Sequence, residues 1–392
     1  NIHPESNPQS PPQPFGYACA GGDSAILLSD EMPEDDPELG VRDVQREAHG
    51  GSCVLVGVTC GVSAPYVAGQ VAHILHRKMD SAHSAHSVDS ADRDGVCLLG
   101  FNPVALARSA TFTGLPGGWK SFRDVAVSLE EYIQAGAGQH QNQHNCCIVN
   151  PILGPEPVSG SSRMKGGTAT LVLLDAICLH ALGLADALPE EHALYPLTRC
   201  SVLEILCKYQ TAHAITYSAM RRSLPLLMDN AAESLRRGDN IYYIGIDNAA
   251  VVGGIDASEM PDTYGAPFDQ TRMFILGGWS RFGNTEGDIL AASRYHRIGV
   301  EDFEADVLPG MSANDTTVFL IANPELLPEA DLEQLVAVAR RLHTAGKPVS
   351  LACVSTLPQC WTILPAVSEL RALCSTSPDS LHPSPGSRSC FI

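Results

Sequence analysis

Between Ser159 and Gly167 the chain reads SGSSRMKGG, a set of residue types suited to holding an oxyanion. Ser159, Ser161 and Ser162 offer hydroxyls, Arg163 and Lys165 bring positive charge, and the glycines let the backbone approach a ligand closely. The apolar run TATLVLLDAICLHAL follows, as a central helix would read. Arg163 and Lys165 therefore stand at a helix start, where the macrodipole is already positive and each cation is disfavoured by about 0.3–1 kcal/mol. Something negative belongs beside them. Two readings fit: a phosphate gripped by hydroxyls, free amides and cations, or a serine capping the helix while Arg163 pairs with a buried carboxylate.

Two other stretches share a strand-turn-helix grammar. GVTCGVSAPYVAGQ (57–70) carries Thr59, Gly61 and Ser63 at the carboxyl end of a buried strand, where ligands gather in open α/β sheets. A plain turn capped by Ser63 has the same look. IGIDNAAVVGGIDASEMPDTYG (244–265) has Asp247 and Asn248 where a phosphate cradle wants Ser or Thr. Glu259 follows a mostly small and apolar helix there, and either points into an interface or is an ordinary exposed glutamate. His73 and His76 precede DSAHSAHSVDSADRDG (80–95), a low-complexity stretch read as a solvated loop insertion. Neither a metal site nor a cofactor is expected.

The elements that must position these residues alternate. FGYACAGG (15–22), CVLVGVTC (53–60), VCLLGFNP (96–103) and CCIVNPIL (146–153) read as buried parallel strands, with a helix over about 66–78. A second series follows in 240–246, 272–278, 316–323 and 348–355, its last two strands joined by a helix over about 328–345. The helical stretch 197–227 divides the series. The fold class expected is α/β, two tandem domains, each a parallel sheet flanked by helices. Boundaries fall as a Pro-rich irregular segment 1–14, a first domain 15–222, a second 223–372 and a Ser/Pro-rich disordered tail 373–392.

Composition narrows the partners. At 392 residues and a formal charge of −19, the chain is not expected to bind nucleic acid or an acidic membrane, though one small anion can still sit in a locally basic pocket. No stretch is read as a membrane span, and no signal peptide is expected. The 13 cysteines are scattered; Cys53, Cys97, Cys146, Cys147 and Cys353 read as strand core, which suits a reducing cytosol.

Taken together, GPEPVSGSSRMKGGTAT, AGGDSAILLSDEMPEDDPELG (20–40), GVTCGVSAPYVAGQ, LGFNPVALAR (99–108) and YGAPFDQTRMFILGG (264–278) resemble the sugar isomerase (SIS) domain superfamily. The branch is that of the glucokinase regulatory proteins and the bacterial N-acetylmuramic acid 6-phosphate etherases, and the likeness runs over roughly 15–365. The tandem units and GFNPVALAR look nearer the regulatory proteins. That resemblance implies a protein that binds fructose 6-phosphate or fructose 1-phosphate and inhibits a glucokinase or hexokinase partner, in the cytoplasm and also the nucleus. The implied ligand contacts are Thr59, Cys60, Gly61 and Ser63 in one loop and Ser161 and Ser162 in another, with Glu34 and Glu259 reading sugar hydroxyls. Arg163 and Lys165 match the family run, and helix-entrance electrostatics is their inferred role.

Two departures from the family pattern bear on this. The family's Gly-Gly-Gly-Thr-Ser-Gly-Arg loop should precede Phe15, where HPESNPQSPPQP stands instead, and the helical cap that supplies a lysine has no counterpart in 365–392. Weak ligand binding, or dependence on the missing parts, is the expectation. The alternative activity is an etherase releasing lactate, with Glu34 and Glu259 as its acid and base. Aldose–ketose isomerisation fits less well, because no histidine is placed to open a sugar ring.

Overall fold

Runs of nearly continuous apolar residues do become parallel strands. The computed structural model describes residues 16–22, 25, 32–48, 51–83, 94–136, 145–158, 162–192, 194–221, 224–282, 294–354 and 360–375. They form two compact units that part between Thr211 and Ala212. In the first, β1 (Val54–Val58), β2 (Gly95–Leu99) and β3 (Cys146–Val149) lie in that order, all parallel. β2 is buried throughout. Helices α1 (Pro37–Glu47), α2 (Pro65–His83) and α3 (Phe122–Gly136) belong to this unit. Val71, Leu75, Phe122, Val125 and Leu129 from α2 and α3 join Val96 and Leu98 of β2 in one core.

The contact between α1 and α2 matters because α1 carries the turn that holds Glu34. Asp36 caps α1 by accepting the Leu39 amide at 2.9 Å, and Pro37 takes the first helical position. Tyr66 donates to Asp43 at 2.7 Å, and Asp43 pairs with Arg46 at 2.9 Å. The helices also meet at two glycines: a Cβ on Gly69 would stand 2.0 Å from the Pro37 carbonyl oxygen, and one on Gly40 2.0 Å from that of Tyr66. Gly69→Ala is therefore expected to push α1 away and destabilise the chain by about 1–3 kcal/mol, as overpacking does. Urea unfolding measures this, and an unchanged midpoint would refute it.

In the second unit the sheet order is β5 (Thr271–Ile275), β4 (Ile241–Gly245), β6 (Thr316–Ala322), β7 (Ser350–Val354), again all parallel. Because β4 lies between β5 and β6, the chain reverses its direction of travel there and opens a switch-point crevice at the strands' carboxyl ends. Tyr242, Phe274 and Phe303 meet in the core at ring-centroid distances of 5.2 to 6.4 Å.

Each sheet carries a clasp of the same kind. Asp94, fully buried just before β2, accepts the Cys53 amide just before β1 at 3.0 Å. Asp315, 1% exposed just before β6, accepts the Asn240 amide just before β4 at 2.8 Å and the Ser312 amide at 2.7 Å. Each carboxylate ties the starts of two neighbouring strands together.

Several expectations are corrected. Within FGYACAGG, residues 16–22 form loop and turn; Gly21 and Gly22 at φ 83° and 70° bend a run too small-sided to pair. The 80–95 insertion is narrower than expected: α2 continues to His83, and Asp94 and Gly95 are buried in the sheet, while 84–93 lie outside the described residues. The tail starts later as well, since a helix over Pro365–Ser375 buries Cys374; 376–392 and the Pro-rich 1–14 lie outside the described residues. The apolar helix α4 (Thr168–Leu184) is not a buried one: Ala176 alone is buried in it. Together with the turn before it, Met164–Leu184 is long and apolar enough, by length and composition, to cross a membrane, contrary to the sequence reading. That reading sought an unbroken run, and Thr168, Thr170, Asp175 and His180 interrupt this one without lowering its mean much.

Cys53 is half-buried, Cys97, Cys146 and Cys353 are buried as expected, but Cys147 is exposed on β3. It pairs in register with Cys97 on β2. The hydrogen bond from Cys97 lowers the Cys147 thiol to about 7, against a smaller opposing effect of burial. Iodoacetamide should thus label Cys147 half-maximally near pH 7 and lose it at lower pH as the thiolate is protonated. Cys97→Ala removes the donor, and labelling at pH 7 should slow roughly tenfold. Equal rates would show that the pair does not interact.

Candidate functional site

At the carboxyl end of β1 the chain turns sharply before α2. Thr59 is buried, and its hydroxyl accepts the Ser63 amide at 3.3 Å. Val62 sits at φ 52°, a conformation a β-branched residue adopts only under constraint. The constraint is visible: its side chain is 2% exposed, and its carbonyl accepts the Arg108 amide at 3.0 Å. Asn102, beyond β2, donates to the Gly61 carbonyl at 3.0 Å, and the Phe101 amide bonds the Cys60 carbonyl at 2.9 Å. These bonds leave the Ser63 side chain exposed beside Gly61.

Glu34 reaches the same loop through its neighbour. It lies exposed in the 3-10 turn Pro33–Asp35. Arg108 ties that turn down, donating to Asp35 at 3.0 Å and to the Ser63 carbonyl at 3.4 Å.

The third component is the wide π-helical turn Arg163–Gly167 that opens α4. Cys60 donates through its thiol to the Ser162 carbonyl at 3.9 Å, and a Cβ on Gly166 would come within 2.7 Å of the Cys60 sulfur. The two loops therefore touch. Burial pushes the Cys60 thiol up, and the Glu156 carboxylate adds to this, against the opposing Ser162 hydrogen bond. Cys60 stays a neutral thiol that fills space.

The anion that the helix entrance calls for is present. Glu156 accepts the Lys165 amide on Oε2 at 2.8 Å and the Gly166 amide on Oε1 at 2.7 Å. The Lys165 ammonium turns to the Pro155 carbonyl at 3.0 Å. Ser162 makes no side-chain cap, and the carboxylate at this entrance is bound by backbone amides, a pairing that neither sequence reading named. Nothing in the sequence reading singled out Glu156, Arg108 or Asn102. The signal available for Glu156 was an acid fixed between Pro155 and Pro157 just ahead of a helix start.

Thus Glu34, Thr59, Cys60, Gly61, Ser63 and Ser162 are assembled in one unit. Ser161 and the Arg163 side chain lie outside what is described. Glu259 belongs to the second unit, half-buried on α5 (Asp247–Tyr264) and hydrogen-bonded by Thr263. At that unit's own crevice Asp247 is held at φ 49°. Arg281 grips it with two bonds, at 2.5 and 3.2 Å, and also reaches Asp331 at 3.2 Å. Ion pairs among the unit's own residues stand at this crevice. Among the described residues no group of three or more His, Cys, Asp or Glu is placed to hold a metal.

Two parallel α/β units, the first with hydroxyl-bearing loops at its strand ends, fit a tandem SIS-domain protein. Residues 4–75 match the glucokinase regulatory protein N-terminal SIS domain, and residues 217–362 match the second SIS domain of the same proteins. The chain belongs to the SIS-domain superfamily, in the branch of the glucokinase regulatory proteins. It is 36% identical over 365 residues to the glucokinase regulatory protein of Xenopus laevis, covering 89% of this chain and 53% of that one. To the Homo sapiens protein it is 32% identical over 317 residues, covering 80% and 46%. N-acetylmuramic acid 6-phosphate etherase of Aeromonas hydrophila is 30% identical over 164 residues, covering 42% and 38%. The chain spans about half the length of the regulatory proteins it matches.

Proposed function

We propose that this chain is a phosphosugar-binding regulator that senses fructose 6-phosphate or fructose 1-phosphate and inhibits a glucokinase-type sugar kinase, in the cytoplasm or the nucleus. One observation carries the reading: the Glu34 turn, the Thr59–Ser63 loop and the Ser162 turn converge at the carboxyl end of a parallel sheet. Hydroxyls there suit a phosphoester and the carboxylate suits sugar hydroxyls. Likeness to glucokinase regulatory proteins along most of the chain supports the kinase partner.

Ligand binding stabilises the form that binds it, by about 2.7 kcal/mol at 100 times the dissociation constant. Fructose 6-phosphate or fructose 1-phosphate should therefore raise the melting temperature of the whole chain, and Ser161→Ala with Ser162→Ala should abolish the rise. A glucokinase assay with the same protein should show inhibition that depends on the sugar phosphate. No thermal shift would overturn the reading. So would lactate released from N-acetylmuramic acid 6-phosphate and lost in Glu34→Gln, which would make the chain an etherase.

A further inference from the structure

The first amides of a helix attract whatever anion is near, because they have no intrahelical partner and carry the positive end of the dipole. At the start of α4 two successive amides, those of Lys165 and Gly166, point to the two oxygens of one carboxylate, 2.8 and 2.7 Å away. That carboxylate is Glu156, ten residues upstream and tethered a second time by the bond from the Lys165 ammonium to Pro155. The turn continues without a break into seventeen residues of α-helix, so the full dipole stands behind it.

We infer that Glu156 is a positioning and selectivity residue: it is the built-in anion of the α4 entrance, and it keeps a ligand's phosphate off those amides. This rests on the reading of the neighbouring loops as a phosphosugar site. An attached carboxylate competes at an effective concentration of order millimolar or more, and its charge repels a second anion. A phosphoester entering the site therefore has to take its bonds from the hydroxyls around Thr59, Ser63 and Ser162, which orients the sugar away from the helix axis. Bare inorganic phosphate should accordingly bind poorly to the native chain, because the two amides best placed for it are taken.

The same seat sets the shape of the turn. The Gly167 amide bonds the Ser162 carbonyl at 2.9 Å, the carbonyl that also receives the Cys60 thiol. Glu156 thus holds the ribbon that keeps Ser162 beside the Thr59–Ser63 loop without itself touching the ligand.

The experiment compares the full chain with Glu156→Ala and Glu156→Gln, each verified as folded by circular dichroism. Binding of inorganic phosphate is followed by calorimetry at fixed ionic strength, and fructose 6-phosphate is titrated separately. Glu156→Ala should bind inorganic phosphate at least tenfold more tightly than the native chain. Glu156→Gln, which loses the charge and keeps one acceptor oxygen, should fall between them, and it carries the test should the alanine variant fail to fold. Inorganic phosphate bound no more tightly by either folded variant than by the native chain would overturn the inference. Failure of the native chain to bind fructose 6-phosphate would instead count against the ligand reading alone, because the inorganic phosphate comparison uses no sugar.

Discussion

Asp315→Ala is expected to destabilise the protein by about 4 kcal/mol and to lower the melting temperature by about 10 °C. The carboxylate is 1% exposed and accepts two backbone amides, Asn240 at 2.8 Å and Ser312 at 2.7 Å. Alanine leaves both part-buried donors without their acceptor, at about 1–3 kcal/mol each. The damage falls on the start of β4, the strand between β5 and β6, so the whole sheet loses its register point. Asp315→Asn keeps one acceptor oxygen for one amide and should lose about half as much. Differential scanning calorimetry of the two variants decides the matter, and a shift under 2 °C for the alanine form would show that water replaces the carboxylate. Asp94→Ala should act likewise on the first unit, orphaning the Cys53 amide and leaving Arg77, 3.2 Å from the carboxylate, without its partner.

Gly166→Ala should cut the affinity for fructose 6-phosphate at least tenfold while leaving the fold intact. The new methyl would stand 2.7 Å from the Cys60 sulfur and 3.2 Å from a Glu156 oxygen, so the loops at the two strand ends must separate. Alanine favours helix over glycine by about 1 kcal/mol, so a loss of binding cannot be charged to a weaker helix. The decisive variant is the double one. Cys60→Ala removes the atom that collides and should restore most of the affinity lost by Gly166→Ala, a coupling that independent sites do not show. Calorimetric titration of the four proteins completes the cycle. Equal affinity for the native and Gly166→Ala chains would mean that the contact between the loops does not shape the site.

Much of the architecture could be read from residue patterns, for a physical reason. A strand such as Val96–Leu99 is buried on both faces and so must be apolar at every position, which makes it visible without any knowledge of the fold. Tyr17 to Ala20 passed the same test and failed in the structure, because two glycines with positive φ end the run before it can pair. α1 was passed over although Asp36 and Pro37 carry the cap and first-turn signals; its eleven residues bury only four. The hydroxyls of the candidate site drew notice because serine, glycine and cation cluster within nine residues. Glu156 was not, since what it does depends on a loop folding back over its own helix, and no spacing rule reports that. The two clasps were equally hidden: Asp94 and Asp315 each serve a strand that begins far back in the chain.

The ion pairs at Arg281 have a consequence for counting. Two units of one ancestry bring two crevices, and a titration of a duplicated receptor would ordinarily end at two equivalents. Here Asp247 and Asp331 already occupy the guanidinium that an incoming anion would seek. The isotherm should therefore close at a stoichiometry of one, with no second plateau and no Hill slope above unity.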